Sequence, residues 1–324
     1  MIKYIIRRLL WMIPIVLGVA ILVFTMMCFC PGDPAQIILG ATATEADLAA
    51  KRQELGLNDP YIVRLANYLG QVFLHGDLGT SWSSKIDIMG AIMERLPRTL
   101  TLSLVTLFIA FGVGIPLGIM AATHQNRWQD SVSMVFALIG VAIPNFWLAL
   151  MLILAFAVNL GILPSMGIDA GLRSYILPAM SGCMGTLATC ARQTRSSMLD
   201  VIRADYITTA RSKGVPEQAV IWKHALKNAL IPIITMLGSA FGHLIGGMII
   251  IETIFSIPGM GNLIIGAVNN RDYPVVQGGT IFLAISFSLC MLAVDLLYAA
   301  VDPRIKAQYA GVKKQKRKGA NANG

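Results

Sequence analysis

Four places in the sequence carry side chains whose type and position could do chemistry. Asp295 stands inside an apolar run near the carboxyl end, where a carboxylate is costly and functional by default. It lies only seven residues before Asp302, roughly 10 Å at helical rise, so two roles stay open: pairing with a base near the inner face, or contact with a solute. Glu252 closes another apolar run, where it could face a cation or an amino group, or cap local backbone. His243 has the chemistry of a metal ligand, but Ser239 and Gly247 occupy its i±4 positions. With no His, Cys or carboxylate there, a hydrogen bond to a neighbouring helix is the rival role, and no metal site is assigned. The fourth place is a polar island at residues 203–232, with Arg203, Arg211, Lys213, Lys223 and Lys227 set against Asp205 and Glu217. No G-x-x-x-x-G-K-[ST] occurs anywhere, so the chain has no P-loop to cradle a nucleotide. No catalytic constellation and no cofactor are expected, and any energy from ATP must come from another chain.

The elements that position these groups are membrane spans. Of 324 residues 56% are hydrophobic and only 13% charged, which excludes a water-soluble globule of ordinary composition. Apolar windows at 9–29, 99–122, 132–160, 175–191, 231–251 and 275–301 match the thickness of a bilayer core. The first follows Lys3, Arg7 and Arg8; it is too long for a signal-peptide core and no small-x-small cleavage site follows it, so it is expected to be retained. The third is long enough to need tilt or a break at Pro144. Gly112, Gly114 and Gly118 in the second allow close helix approach or a kink. Pro144, Asn145 and Phe146 at the expected break, His243, and the ladder Gly238, Gly242 and Gly246 are candidates to line a translocation path, Glu252 being a further one.

Basic residues set the orientation. Eighteen of the 26 Lys and Arg fall in segments that six spans would leave inside, and six of the other eight lie in one long outer segment, which the positive-inside rule discounts. Six spans with both termini cytoplasmic follow. The net charge of +9 is thus a topological signal and not a nucleic-acid footprint. The basic run KKQKRK near the carboxyl end reads as an anchor at anionic lipid. The five cysteines form no CxxC pair and read as buried, inert thiols.

Between the spans, local chemistry marks shorter elements. Pro31-Gly32-Asp33-Pro34 ends the first span. An amphipathic helix capped by Thr44, with Asp47 three residues on, and an apolar-faced helix at 61–74 follow, then turn chemistry at GDLGTSW and a short helix at 86–96. In the polar island a helix over 204–213 is stopped by Gly214, and Pro216 opens a second. That helix–turn–helix outside the bilayer reads as a docking element. The domain organisation expected is a first transmembrane helix at 1–30, an extracytoplasmic helical loop at 31–97, a five-span core at 98–305 holding the docking loop at 203–230, and a basic disordered tail at 306–324.

These motifs carry a resemblance. TTARSKG at 208–214 followed by HALKNALIP at 224–232 resembles the cytoplasmic coupling loop of ABC-transporter permeases of the dipeptide, oligopeptide and nickel importer family. That loop's general pattern is Glu-Ala-Ala, three residues, Gly, nine residues, then Ile-x-Leu-Pro. Ala210 and Gly214 keep their places. Thr208-Thr209 replace Glu-Ala and His224-Ala225-Leu226-Lys227 replace Ile-x-Leu-Pro, a departure usual in this branch. PGDP, LGL-x-x-P, GDLG-x-S and RLP-x-TL in the amino-terminal third, E-x-IF-x-x-PG-x-G and RDYP at 252–274, and LLYAAVDPR at 296–304 are similar to the same branch, so the likeness spans residues 1–308. It implies an all-α type I ABC importer transmembrane domain in a prokaryotic cell membrane. It also implies a second homologous permease subunit, two ABC ATPase subunits and an extracytoplasmic solute-binding protein as partners. Ala210, Gly214, Val215, Pro216, Glu217, Ala219 and His224 would then form the ATPase contact. Cargo stays open between di- or oligopeptides, glutathione-like peptides and nickel or its chelates, with IPNFWLAL and the short link LGILPSMG leaning slightly to nickel. A self-sufficient secondary transporter would call for internal inverted repeats, and a receptor or scaffold for a folded cytoplasmic domain; neither pattern is seen.

Overall fold

A computed structural model describes the backbone of residues 2–40 and 42–301, with side chains over 5–40 and 42–296. The tail expected at 306–324 lies outside the described residues. The described chain is helical. Apolar residues run through α1 (Ile2–Phe29), which Pro31 terminates. Asp33 caps α2 (Pro34–Leu39) by accepting the Ala35 amide at 2.9 Å. Thr44 and Asp47 form the expected capping box on α3 (Glu45–Glu54), and Pro60 precedes α4 (Tyr61–Leu74).

The helix expected at 86–96 and the second span are one element, α5 (Ile88–Thr123), which passes straight through Pro97. The reason lies in its buried side: Ile88, Ile92, Thr99, Leu102, Ser103, Thr106 and Ala110 form one stripe at three- and four-residue spacing on both sides of the proline. Packing along that stripe outweighs the lost hydrogen bond. In contrast, Pro144 does break its span. α6 (Trp128–Ala142) stops, Ile143 is extended (φ −80°, ψ 124°), and α7 (Asn145–Leu152) restarts and runs into a π-helical turn, Ile153–Asn159.

A 3₁₀ turn, Gly171–Tyr175, leads to α8 (Ile176–Gly182) and α9 (Met184–Ile202). The span expected to end near residue 191 therefore continues for about three more turns, and it does so on polar residues. The polar island holds α10 (Asp205–Ser212) and α11 (Glu217–Ala219), the latter joined through a π-helical segment, Val220–Ala225, to α12 (Leu226–Gly247). Then come α13 (Ile249–Ile254), α14 (Met260–Asn269) and α15 (Tyr273–Val301). The stretch containing α14 had been expected as loop.

By length and composition four described helices can cross a membrane, Ile5–Phe29, Ile88–Thr123, Glu217–Gly247 and Tyr273–Leu296, or five if α6 and α7 form one broken span. The helices at the expected fourth span do not reach that criterion: α9 carries Thr186, Thr189, Arg192, Gln193, Arg195, Ser196 and Ser197. Protein shelters only part of this polar set: Thr194 and Ser197 are buried, while Thr189, Arg192 and Ser196 are exposed.

The described residues form two compact units. One comprises Met1–Val105, Asn145–Gly182 and His243–Ser288. Its main core gathers Met27, Ile88, Ile92, Met260, Ala267, Tyr273 and Val276. A second cluster sets Tyr68, Leu69 and Val72 of α4 against Val16 and Ala20 of α1 and Ile281 of α15.

The other unit comprises Thr106–Pro144, Cys183–Gly242 and Leu289–Gly324. Two of the three α5 glycines that lie in this unit serve close approach. A methyl group on Gly114 would strike Cys190 and the Leu187 carbonyl, and one on Gly118 would strike Thr194 and the Ala191 carbonyl, whereas Gly112 faces open space. Small residues four apart thus let α5 rest on the backbone of α9. In the same unit Gly238 of α12 abuts Val294 of α15, so this member of the glycine ladder is a packing contact; Gly246, which belongs to the first unit, is open.

Gly118→Ala is accordingly expected to destabilise the purified protein by about 1–3 kcal/mol through overpacking. Gly112→Ala should be neutral or stabilising, by up to about 1 kcal/mol of helix propensity. Thermal unfolding in detergent, both variants side by side, checks the contrast.

Candidate functional site

The polar island of the second unit is a folded element and not a tether. Asp205–Ser212 forms a helix of two turns, and its end is a Schellman motif: the Gly214 amide donates to the Arg211 carbonyl at 2.9 Å and the Val215 amide to the Ala210 carbonyl at 3.3 Å. This closure requires a left-handed residue at 214, and Gly214 has φ +75°. Val215 and Ala210 both join the hydrophobic cluster beneath, the apolar contact that accompanies this motif. Pro216 then serves as N-cap of the next helix, one position earlier than the first-turn site expected for it.

Both limbs are seated on the same core. Ile207 of α10, Val220 and Ala225 of the π-helical segment and Ala229 of α12 pack with Met198 of α9 and with Ile119 and Ala122 of α5. Polar ties fasten the margins. The Asn228 amide donates to the Tyr206 hydroxyl at 3.1 Å, and Arg203 donates to the Gln125 side chain at 3.0 Å. Arg211 grips Glu217 with two hydrogen bonds of 3.0 and 2.6 Å across the turn. That carboxylate raises the Arg211 guanidinium above its usual value. The pair is solvent-exposed, so it fixes geometry more than it adds stability.

The predicted contact residues divide by exposure. Gly214, Pro216 and Glu217 are exposed; Ala210, Val215, Ala219 and His224 are half-buried and support them. The structure adds two residues that the motif reading missed: Tyr206 and Trp222, large aromatic side chains exposed by 46% and 55% on this same element. Exposed aromatics of this size are characteristic anchors of protein interfaces. Trp222 sits in the π-helical segment, whose wider turn displaces it from the position ordinary helical spacing would give.

Where this unit leaves the island, Arg195 of α9 forms a two-point ion pair with the buried Asp130 of α6, at 2.6 and 2.7 Å, and Asp130 also accepts the Asn126 amide at 3.1 Å. The polar continuation of α9 therefore has a partner for its charge.

In the first unit, two carboxylates are consumed by the backbone. Glu252 is fully buried; it accepts the Thr99 hydroxyl at 2.5 Å and the Gly261 and Asn262 amides at 2.8 and 3.1 Å. Thr99 in turn accepts the Met260 amide at 2.8 Å. Of the roles open to Glu252, local capping is the one its geometry performs: it holds the first amides of α14. Asp272 accepts the Ser81 and Ser83 hydroxyls at 2.5 and 2.8 Å and the Trp82 amide at 3.0 Å. The other path candidates, Pro144, Asn145, Phe146 and His243, are exposed in the two units that hold them. Among the described residues no group of three or more His, Cys, Asp or Glu could hold a metal ion.

Sequence comparison decides the family. Residues 114–307 match the binding-protein-dependent transport system inner membrane component, and residues 1–103 match the N-terminal region of the same membrane component. The chain belongs to this family of ABC importer permeases. The glutathione transport system permease protein GsiC of Salmonella choleraesuis (strain SC-B67) is 43% identical over 306 residues, covering 94% of this chain and 99% of that one. The dipeptide transport system permease protein DppB of Alkalihalophilus pseudofirmus is 43% identical over 335 residues, covering 94% of this permease and all of the relative. A solved inward-facing conformation of the MetNI methionine ABC transporter superposes with a TM-score of 0.56 at 21% identity, over 66% of this permease and 97% of that chain. The permease fold expected from the sequence is thereby shown, in a multi-pass protein of the cell membrane.

Glu252→Ala leaves buried donors unpaired and is expected to cost on the order of 3 kcal/mol. Glu252→Gln, which keeps an acceptor, should cost less. Melting temperatures of the purified permease variants give the order.

Proposed function

We propose that this permease forms the translocation path of a peptide importer together with a second, homologous permease subunit. Two ATPase subunits drive it and an extracytoplasmic binding protein delivers the cargo. The cargo class is small peptides of dipeptide or glutathione size. The observation that carries this is the 43% identity, across nearly the whole chain, to permeases named for glutathione and for dipeptide transport. It outweighs the slight lean to nickel drawn from IPNFWLAL and LGILPSMG, which are short segments.

In this reading residues 203–230 are the part that meets the ATPase. Gly214, Pro216 and Glu217 form the contact edge, backed by Ala210, Val215, Ala219 and His224, with Tyr206 and Trp222 as aromatic anchors. The support is mechanical. An element that transmits force must be rigid and must be joined to what it moves. This one shares a core with α5 and α9 and continues through the π-helical segment into α12. ATP-driven closure of the ATPase pair would then shift these helices together and alternate the access of the path. Asn145, Phe146 and His243 are the side chains proposed to meet the cargo.

The experiment is ATP-dependent uptake into vesicles holding the whole complex, with labelled glutathione, a labelled dipeptide and radioactive nickel as competing cargoes. A peptide should be taken up and nickel not. Gly214→Val, which forces a branched side chain into the left-handed region at a cost of about 1–2 kcal/mol, should abolish uptake in an assembled complex. Gly214→Asn should keep much of it. Uptake of nickel alone would refute the cargo class, and uptake indifferent to Gly214→Val would refute the coupling role.

A further inference from the structure

We infer that residues 61–82 are not wholly outside the membrane but form a re-entrant hairpin that enters the outer half of the bilayer, α4 against lipid acyl chains and the turn after it against water. The inference takes only its side of the membrane from the topology proposed above; the depth is independent of it.

Two rulers within the first unit measure the descent. Along α1, the Tyr61 hydroxyl meets the Thr25 hydroxyl at 2.7 Å and its ring lies 6.4 Å from that of Phe29, at the helix end. Tyr68 stacks on Phe24 at 5.2 Å, and Leu69 and Val72 reach the cluster of Val16 and Ala20. Thus α4 runs antiparallel to α1, and its tip reaches thirteen residues below Phe29, roughly 20 Å at helical rise. Along α15, the same tip meets Ile281 and Ile285, eight and twelve residues past Tyr273, roughly 12 to 18 Å down. Half the hydrocarbon thickness is about 15 Å, so both rulers bring Val72 near the midplane.

The chain then climbs back beside α15 in order. Leu78 lies against Gly278, the Trp82 ring is 5.2 Å from that of Tyr273, and Ser81 binds Asp272. An excursion that meets residues 281–285, then 278, then 273 and 272 is a hairpin whose bend points inward.

Composition agrees with the two surroundings. α4 has one charge, Arg64, near its upper end beneath the Phe24 ring face, and leaves Ile62, Phe73 and Leu74 exposed by 76, 40 and 82%. Beside a transmembrane helix, at this depth, acyl chains are what such a face fits. The bend is different: His75 and Asp77 are exposed there. Asp77 accepts the Gly79 amide at 2.7 Å and the Gln71 side chain at 3.1 Å, which closes the turn on itself. A charged residue in irregular backbone at this depth is tolerated only where it meets protein or a water-filled cavity. The bend therefore faces water continuous with the outside.

The test uses the full complex in lipid nanodiscs, with the five native cysteines replaced by alanine and single nitroxide labels at Ile62→Cys, Leu74→Cys and, on α3, Ala49→Cys. All three label sites are exposed, so the labels themselves leave the core intact, and the unlabelled cysteine-free complex is the reference for the buried Cys183 and Cys190 replacements. The ratio of oxygen to chromium oxalate accessibility should be several-fold higher at Leu74 than at Ala49, with Ile62 between them. Equal ratios at Leu74 and Ala49 would overturn the insertion. A deep Leu74 label combined with an Ala49 site that impermeant reagents reach only from the cytoplasm would refute the proposed topology and leave the insertion standing. His75→Cys should react with a small charged methanethiosulfonate added outside, and protection there would overturn the water-facing bend.

Discussion

A peptide backbone surrounded by hydrocarbon must satisfy its own hydrogen bonds, and the architecture of this permease follows from how that demand is met wherever a helix stops. Long helices meet it by themselves. The breaks do so with side chains: Asp130 on the amide of Asn126, Glu252 on the amides that open α14, and Asp272 on the 81–83 turn; outside the bilayer the paired carbonyl bonds around Gly214 close a turn in the same way. Glu252, a carboxylate that the sequence alone would offer to a substrate, is therefore already committed to the chain. In a protein with few charges, that commitment narrows which groups remain free for solute.

The sequence was most legible where the physics is local. The capping box of Thr44 and Asp47, the break at Pro144 and the stop at Gly214 each depend on residues within a turn or two and are found as expected, and of the α5 glycines Gly114 and Gly118, though not Gly112, serve close approach. It was least legible where distant packing decides. Pro97 predicted an interruption, yet the stripe from Ile88 to Ala110 keeps α5 whole. The polar end of α9 looked like the end of a span because its partner, Asp130, lies sixty-five residues away from Arg195. Glu252 offered a choice of roles that only the positions of Thr99 and residues 260–262 resolve.

The polar island at 203–232 divides along the same line. Its glycine and proline are punctuation marks that any reading would notice, and the family pattern follows them. Tyr206 and Trp222 went unnoticed because exposure belongs to the folded surface and not to the residue type. The π-helical segment is likewise invisible in composition, since its wider turn carries no residue-type signature. The second limb runs through this segment into α12 without an intervening loop, and in the coupling role proposed above that continuity would carry a push on the turn at 213–216 into a long apolar helix.

The clasp between Asp272 and the 81–83 turn also has a temporal side. Its partners are separated by 189 to 191 positions in the chain, and the Thr99–Glu252 bond by 153. During synthesis the amino-terminal segment leaves the ribosome long before the residues that fasten it, and non-local closures of this length form late. The 81–83 turn must therefore wait, unfastened, until the start of α15 has been made. Completion of the amino-terminal third thus depends on the carboxyl-terminal one, and a chain truncated before residue 272 would present an unclosed 81–83 turn to quality-control proteases.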